Sequence, residues 1–159
     1  MPTQLAVQMY TLRDDCATPA DIAKTCEKVK AMGYDAIQSS AAAFSTISGP
    51  ELGKILKDTG LVCCATHRSL DQLKDVQAEL EFHAAIDCKY TALGGWGWKG
   101  NETPQEWATF IDEFSALAAK YEGTPLKIGY HNHSHELAPF GWDTNPETIN
   151  PEHTPYTFA

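Results

Sequence analysis

Five short apolar runs recur along this chain at intervals of about 28 residues, with one longer step before the last, which is the length of a strand followed by a helix. They begin near residues 5, 34, 61, 90 and 126. Apolar residues at helical spacing fill the stretches between them, as Ile22, Cys26 and Val29 do after the first run. Strands that alternate with helices pair in parallel through right-handed crossovers. The repeat therefore predicts an α/β fold built on a parallel sheet.

The bounds of these elements follow from capping residues. Residues 18–21 (TPAD) and 103–106 (TPQE) each combine an N-cap, a proline at the first helical position and an acid in the first turn. Ser69 and Gln72 form another capping box, and one helix is expected to follow it as far as Ala84. We predict strands over residues 5–12, 34–38, 61–66, 90–94 and from 126 onward. The fourth helix is expected to bury Trp107, Phe110, Ile111, Phe114 and Leu117.

Two closures of such a sheet are possible, an open doubly wound sheet and part of a (β/α)₈ barrel. Polar residues follow every predicted strand, which favours the barrel, because a doubly wound sheet concentrates its ligand-binding residues at one switch point. A complete barrel needs about 250 residues, so this chain of 159 holds about 4.5 of the eight units. We predict part of a TIM barrel over residues 1–137 and an irregular, proline-rich tail over 138–159.

Charge and cysteine content limit the partners of the chain. The formal net charge is −9 and the 12 basic residues form no run, so we expect neither a nucleic-acid-binding surface nor a basic face for a membrane. The five cysteines form no C-x-x-C pair and are expected to be reduced thiols of a cytoplasmic protein. We predict neither a signal peptide nor a transmembrane helix.

The densest group of chemically active side chains is IGYHNHSHEL at residues 128–137. In an extended segment His131, His133 and His135 share one face, with Glu136 just beyond them. Neutral imidazole and carboxylate are ligands of divalent metals, and histidine also transfers protons near neutral pH. The stretch is therefore a candidate for metal binding or acid–base chemistry, with a hydrogen-bonded polar rim as the alternative.

Four stretches, in their order and spacing, resemble the sugar phosphate isomerase/epimerases, which have a xylose isomerase-like TIM barrel. They are VQMYTLRDD at residues 7–15, VKAMGYDAIQ at 29–38, ILKDTGL at 55–61 and, most distinctively, GYHNHSHEL at 129–137. The similarity extends to about residue 137. It implies the N-terminal portion of such a barrel.

The resemblance further implies a metal-dependent isomerase or epimerase that acts on a sugar or sugar phosphate. A divalent ion, often manganese, polarises the carbonyl while a glutamate moves the proton. Glu136 is the nearest matching carboxylate and is assigned to both catalysis and the metal, with His133 in catalysis and His131 at the metal. The implied substrate-binding residues are Gln8, Tyr10, His67, Trp96, Trp98 and Asn132, although rim packing is an equal alternative for the two tryptophans.

The chain also departs from the family pattern. Gln38 stands where many relatives have a glutamate, and an amide cannot act as a base. Ligands that relatives place on strands six to eight have no counterpart, so either the rest of the barrel lies outside this chain, which we favour, or two half-barrels pair through exposed edge strands as a homodimer. The alternative functions are a lyase or hydratase of 3-keto-glycosides and a non-catalytic barrel fragment.

Overall fold

The computed structural model describes residues 5–40, 44, 47–97 and 102–134. Within them, five parallel strands form one sheet in the order β1-β2-β3-β4-β5. Each strand pairs with the next one along the chain, as in a barrel, and no reversal of order creates a switch point among the described strands. The predicted part of a TIM barrel is confirmed. The strands are β1 Ala6–Gln8, β2 Ala36–Ser40, β3 Val62–Arg68, β4 Tyr90–Leu93 and β5 Lys127–Tyr130.

Helices connect the strands, and the predicted caps Thr18, Ser69 and Thr103 begin three of them. The helices are α1 Pro19–Ala31, α2 Gly49–Thr59, α3 Leu70–Lys74, α4 Val76–Ala85 and α5 Pro104–Ala119. The single helix predicted after Ser69 is wrong, since α3 and α4 are separate. Asp75 leaves the helical region, at φ −89° and ψ 77°, and its side chain accepts a hydrogen bond from the Ala78 amide. An aspartate that caps a new helix ends the old one. No helix of the described residues is long and apolar enough to cross a membrane.

The first strand is shorter than predicted, because it ends at Gln8. Met9–Asp15 form a 3₁₀ helix in place of the expected strand continuation. Met9 is fully buried there, and the Arg13 guanidinium donates to the Tyr10 carbonyl over 2.9 Å. Backbone groups that the sheet leaves unpaired are thus satisfied locally. The second strand has the predicted length but lies two residues further along the chain. The third strand extends to Arg68, which places His67 inside β3 rather than beyond it.

The helix-facing side of the sheet carries the apolar core. One cluster joins α1, α2 and the first three strands, and a second joins α5 to β4 and β5. Phe110 and Leu117 of α5 are buried, whereas Ile111 is 56% exposed, so its predicted burial is wrong. Ile111 follows Phe110 by one position, about 100° around the helix, and this turns it towards solvent.

A buried polar network crosses the same side between β3, β4 and α4. The Arg68 guanidinium donates to both carboxylate oxygens of Glu79, and His83 Nδ1 donates to the Glu79 carbonyl over 2.7 Å. Thr66 Oγ1 lies 2.7 Å from His83 Nε2 and 2.7 Å from Thr91 Oγ1. Buried polar groups stabilise a fold only when they are hydrogen-bonded in this way. Burial lowers the pKa of the His83 imidazole below its ordinary value of 6.5.

The neutral state of His83 makes stability depend on pH. The folded protein keeps the ring neutral, whereas the unfolded chain gains a proton as the pH falls through about 6.5, so the free energy of unfolding falls below that pH. We expect His83→Gln to lower the free energy of unfolding at pH 7 by about 1–3 kcal/mol through lost hydrogen bonds. The same variant should lose less further stability than wild type between pH 7 and pH 5.

Urea unfolding at a series of pH values measures this difference. Gln77→Ala, at an exposed position on the same helix, is the control and should keep the wild-type pH dependence. The prediction would be contradicted if the free energies of unfolding of wild type and His83→Gln changed by the same amount between pH 7 and pH 5.

Candidate functional site at the carboxyl ends of the strands

A cavity of about 700 Å³ lies at the carboxyl ends of the strands. Every strand contributes to its wall, either from its last residues or from the loop that follows it. The contributing side chains with polar or aromatic groups are Gln8, Tyr10, Ser40, His67, Arg68, Ser69, Trp96, His131 and His133. Because parallel strands all end at one edge of the sheet, residues that are far apart in sequence meet there. The structure therefore brings together most of the residues that the sequence nominated.

Three histidines meet on one wall of this cavity. The ring centroids of His67 and His131 are 4.3 Å apart, and those of His131 and His133 are 4.6 Å apart with perpendicular planes. The strand assignment of β5 ends at Tyr130, but the His131 amide still donates to the Leu93 carbonyl over 2.9 Å. This bond continues the pairing with β4 by one residue and fixes where His131 leaves the sheet. The contact between the two rings agrees with the prediction that His131 and His133 share one face of the extended segment.

His67 is neutral at physiological pH. Burial, with smaller contributions from His131 and His133, lowers the pKa of His67 to about 4. Gln38 Nε2 lies 2.9 Å from His67 Nε2. An amide nitrogen only donates, so the ring accepts through Nε2 and carries its proton on Nδ1. Sequence reasoning noted Gln38 only as a departure from the family and missed its contact with His67, which depends on the register between β2 and β3.

The aromatic part of the wall is anchored in the core. The Trp96 ring stacks on Phe110 with 4.5 Å between centroids and meets Trp107 edge-on at 4.7 Å. Gly97 follows with φ +77°, and a Cβ added there would lie 2.6 Å from the Trp107 ring, so this position requires glycine. Trp96 therefore packs against the core and also lines the cavity. The two alternatives given for it, a substrate-binding wall and packing at the rim, do not exclude each other.

Gln8 and Tyr10 form the opposite side of the cavity. The Tyr10 ring is 48% exposed, and the Arg13 guanidinium lies 4.4 Å from its centroid. Asn132 is exposed and is not among the described residues that line the cavity. Its contact with substrate stays a prediction.

The metal predicted from the resemblance requires Glu136, which lies outside the described residues, as do Trp98 and His135. Imidazole nitrogen suits a divalent ion, but the described cavity wall has no carboxylate. Among residues 5–40, 44, 47–97 and 102–134, no group of three or more His, Cys, Asp or Glu side chains is arranged to hold a metal ion. The described residues therefore do not fit a metal ion by themselves.

Comparison with known proteins identifies the architecture. Neither the protein-family models nor the curated proteins include a match to this sequence. Among solved structures, a sugar phosphate isomerase/epimerase from Parabacteroides distasonis is 16% identical with a TM-score of 0.65, over 87% of this chain and 54% of that protein. A xylose isomerase-like TIM barrel protein from Mycobacterium smegmatis, in complex with magnesium, is 14% identical with a TM-score of 0.60, over 80% and 54%.

A third similar structure is an AP endonuclease of family 2 from Brucella melitensis, 14% identical with a TM-score of 0.59, over 82% of this chain and 55% of that protein. This chain thus spans about half the length of these three proteins. At such identities the likeness establishes the fold alone. The sheet order, the helices between the strands and these matches agree that the chain has the fold of the xylose isomerase-like TIM barrels over about half of their length.

Proposed function

We propose that this protein binds a sugar at the carboxyl ends of its strands and isomerises or epimerises it by moving a proton next to the carbonyl. The observation that carries the proposal is the convergence of His67, His131 and His133 on one wall of the cavity. Imidazole side chains form hydrogen bonds with sugar hydroxyls and move protons near neutral pH. The similarity to a sugar phosphate isomerase/epimerase supports the same reaction class.

The proposed roles follow from position in the wall. Tyr10 and Trp96 present aromatic faces on which the apolar faces of a sugar ring pack. Gln8 and His67 line the same cavity and bind hydroxyl groups, with His67 acting as the neutral ring that Gln38 orients. Glu136 takes the proton from the carbon next to the carbonyl, and His133 gives a proton to the oxygen that gains charge.

A divalent metal ion belongs to the proposal as well, with Glu136 and His131 as ligands from this chain. The Mycobacterium smegmatis protein of the same fold is a complex with magnesium. When bound, such an ion would polarise the substrate carbonyl. Manganese is the ion that we expect to bind.

A nuclease activity is the competing proposal, because an AP endonuclease shares the fold. Nucleic-acid binding depends on lysines and arginines that neutralise phosphates. The net charge of −9 and the lack of any run among the 12 basic residues oppose this reading. A sugar remains the better substrate class.

Metal binding is testable without any substrate. We expect manganese titrated into the protein to bind to wild type, and Glu136→Gln to weaken that binding at least tenfold, because an amide lacks the charge of a carboxylate ligand. Glu122→Gln makes the same change at an exposed position and should bind as wild type does. Isothermal titration calorimetry gives the three dissociation constants, and equal values for wild type and Glu136→Gln would exclude the assigned ligand.

Proton transfer is testable by solvent exchange. Incubation with a panel of ketoses in D₂O should place deuterium on the carbon next to the carbonyl, with isomer or epimer as product. We expect His133→Gln to slow exchange by about 10²–10⁴-fold, the usual size of an acid–base contribution. Ser134→Ala, at the exposed position that follows His133, should exchange at the wild-type rate.

Product analysis by NMR separates the remaining outcomes. A panel that includes 3-keto-glycosides distinguishes an elimination product, which would indicate a lyase, from an epimer. Exchange that is equally fast in His133→Gln would refute the role assigned to that ring.

A further inference from the structure

The charge of the cavity wall bears on whether the substrate is phosphorylated. A phosphate ester carries about −1.5 to −2 charges at pH 7 and is bound by charged or multiple hydrogen-bond donors. Among the described residues that line the cavity, and leaving histidine aside, Arg68 is the only one with a formal charge. The electrostatics of this wall therefore depend on what Arg68 contacts.

The Arg68 guanidinium forms an ion pair with Glu79. Its Nε donates to both carboxylate oxygens, at 3.0 and 2.9 Å, and its Nη2 donates to Oε1. The two side chains are 8% and 2% exposed. The guanidinium also lies over the Phe82 ring at 4.3 Å, on the side of the sheet that faces α4. A paired guanidinium held there presents a dipole to the cavity and no net charge.

Apart from its histidines, the rest of the described wall has no charged side chain and suits hydroxyl groups. Gln8 and Ser40 supply an amide and a hydroxyl, and Tyr10 and Trp96 supply aromatic surface. Hydroxyls both donate and accept, so neutral groups of both kinds match a polyol. A phosphate group placed on this wall would lose its hydration without meeting an uncompensated cation.

We infer that Glu79 is a specificity-determining residue: it cancels the charge of Arg68, so that the cavity takes an uncharged, non-phosphorylated sugar in preference to its phosphate ester. The inference rests on the proposed function, since it names the class of sugar. Glu79 acts through Arg68 and does not touch the substrate, so its effect is on selectivity.

The first test compares matched ligands on the wild-type protein. D-fructose, D-tagatose and D-psicose are each titrated against the corresponding 6-phosphate, with dissociation constants from NMR chemical-shift changes. We expect each neutral ketose to bind at least about tenfold more tightly than its phosphate. A phosphate bound as tightly as the neutral ketose, or more tightly, would overturn the inference and leave the sugar proposal intact. Binding of none of the six would overturn the proposed function and the inference together.

The second test removes the carboxylate charge of Glu79 that compensates Arg68. Glu79→Gln leaves Arg68 unpaired, and an unpaired cation beside the cavity attracts a phosphate dianion, so we expect the affinity ratio to shift towards the phosphate by about fourfold at low ionic strength. Glu81→Gln makes the same change in net charge at an exposed position of α4 and should leave the ratio at its wild-type value. An unchanged ratio in folded Glu79→Gln would overturn the role of Glu79.

A double variant provides a test that does not depend on whether Glu79→Gln folds. Breaking a buried ion pair by removing one partner is strongly destabilising, whereas replacing both partners by apolar residues of similar volume is often neutral or stabilising. Arg68→Met with Glu79→Leu should therefore fold and should keep the wild-type ratio, because neither charge of the pair remains. Circular dichroism verifies the fold of each variant. If Glu79→Gln does not fold, the ligand comparison on the wild-type protein and the double variant test the inference. A shift of the affinity ratio towards the phosphate in the double variant would contradict the inference.

Discussion

One extra residue in β3 sets the arrangement of the whole site. Ile37 of β2 pairs with Cys63, but the next residue, Gln38, pairs with Ala65, so Cys64 is inserted as a bulge. Side chains alternate along a strand, and a shift of one residue moves all later side chains to the other face. Cys63 and Thr66 therefore both face the helices, although they are three residues apart, and His67 faces the cavity. Without the bulge, His67 would point into the core.

The same strand joins the core to the site. Thr66 and Arg68, on either side of His67, are held by the buried network that includes Glu79 and His83. Their hydrogen bonds fix the backbone of β3 on both sides of the ring that faces the cavity. A network of this kind is favourable only when every member is bonded, which makes its geometry well defined. The position of His67 is thus a consequence of contacts made on the opposite face of the sheet.

The sequence was sufficient for the repeat, the caps, the parallel sheet and the histidine-rich carboxyl end, because each depends on local spacing or turn chemistry. It was insufficient for features of the structure that tertiary contacts determine. The alternation read from residues 5–12 missed the 3₁₀ helix that buries Met9, and the apolar period missed the break at Asp75. The pair of Gln38 and His67 depends on the bulge at Cys64, for which alternating residues give no signal. Buried Glu79 was likewise missed, because its partner Arg68 lies eleven residues away on another element.

Burial of one side chain and an ion pair at another leave two groups of this part of the cavity without an unpaired charge. Gln38 donates to His67, and an amide in that position does not stabilise the imidazolium as a carboxylate would. Glu79 matches Arg68 on the far side of the same strand. A glutamate in place of Gln38 would favour a charged His67, and the loss of Glu79 would expose a charged guanidinium. Gln38 thus leaves the His67 ring neutral and Glu79 compensates the charge of Arg68, so neither His67 nor Arg68 presents an unpaired charge to the cavity. Neutral groups bind hydroxyls through the geometry of their hydrogen bonds.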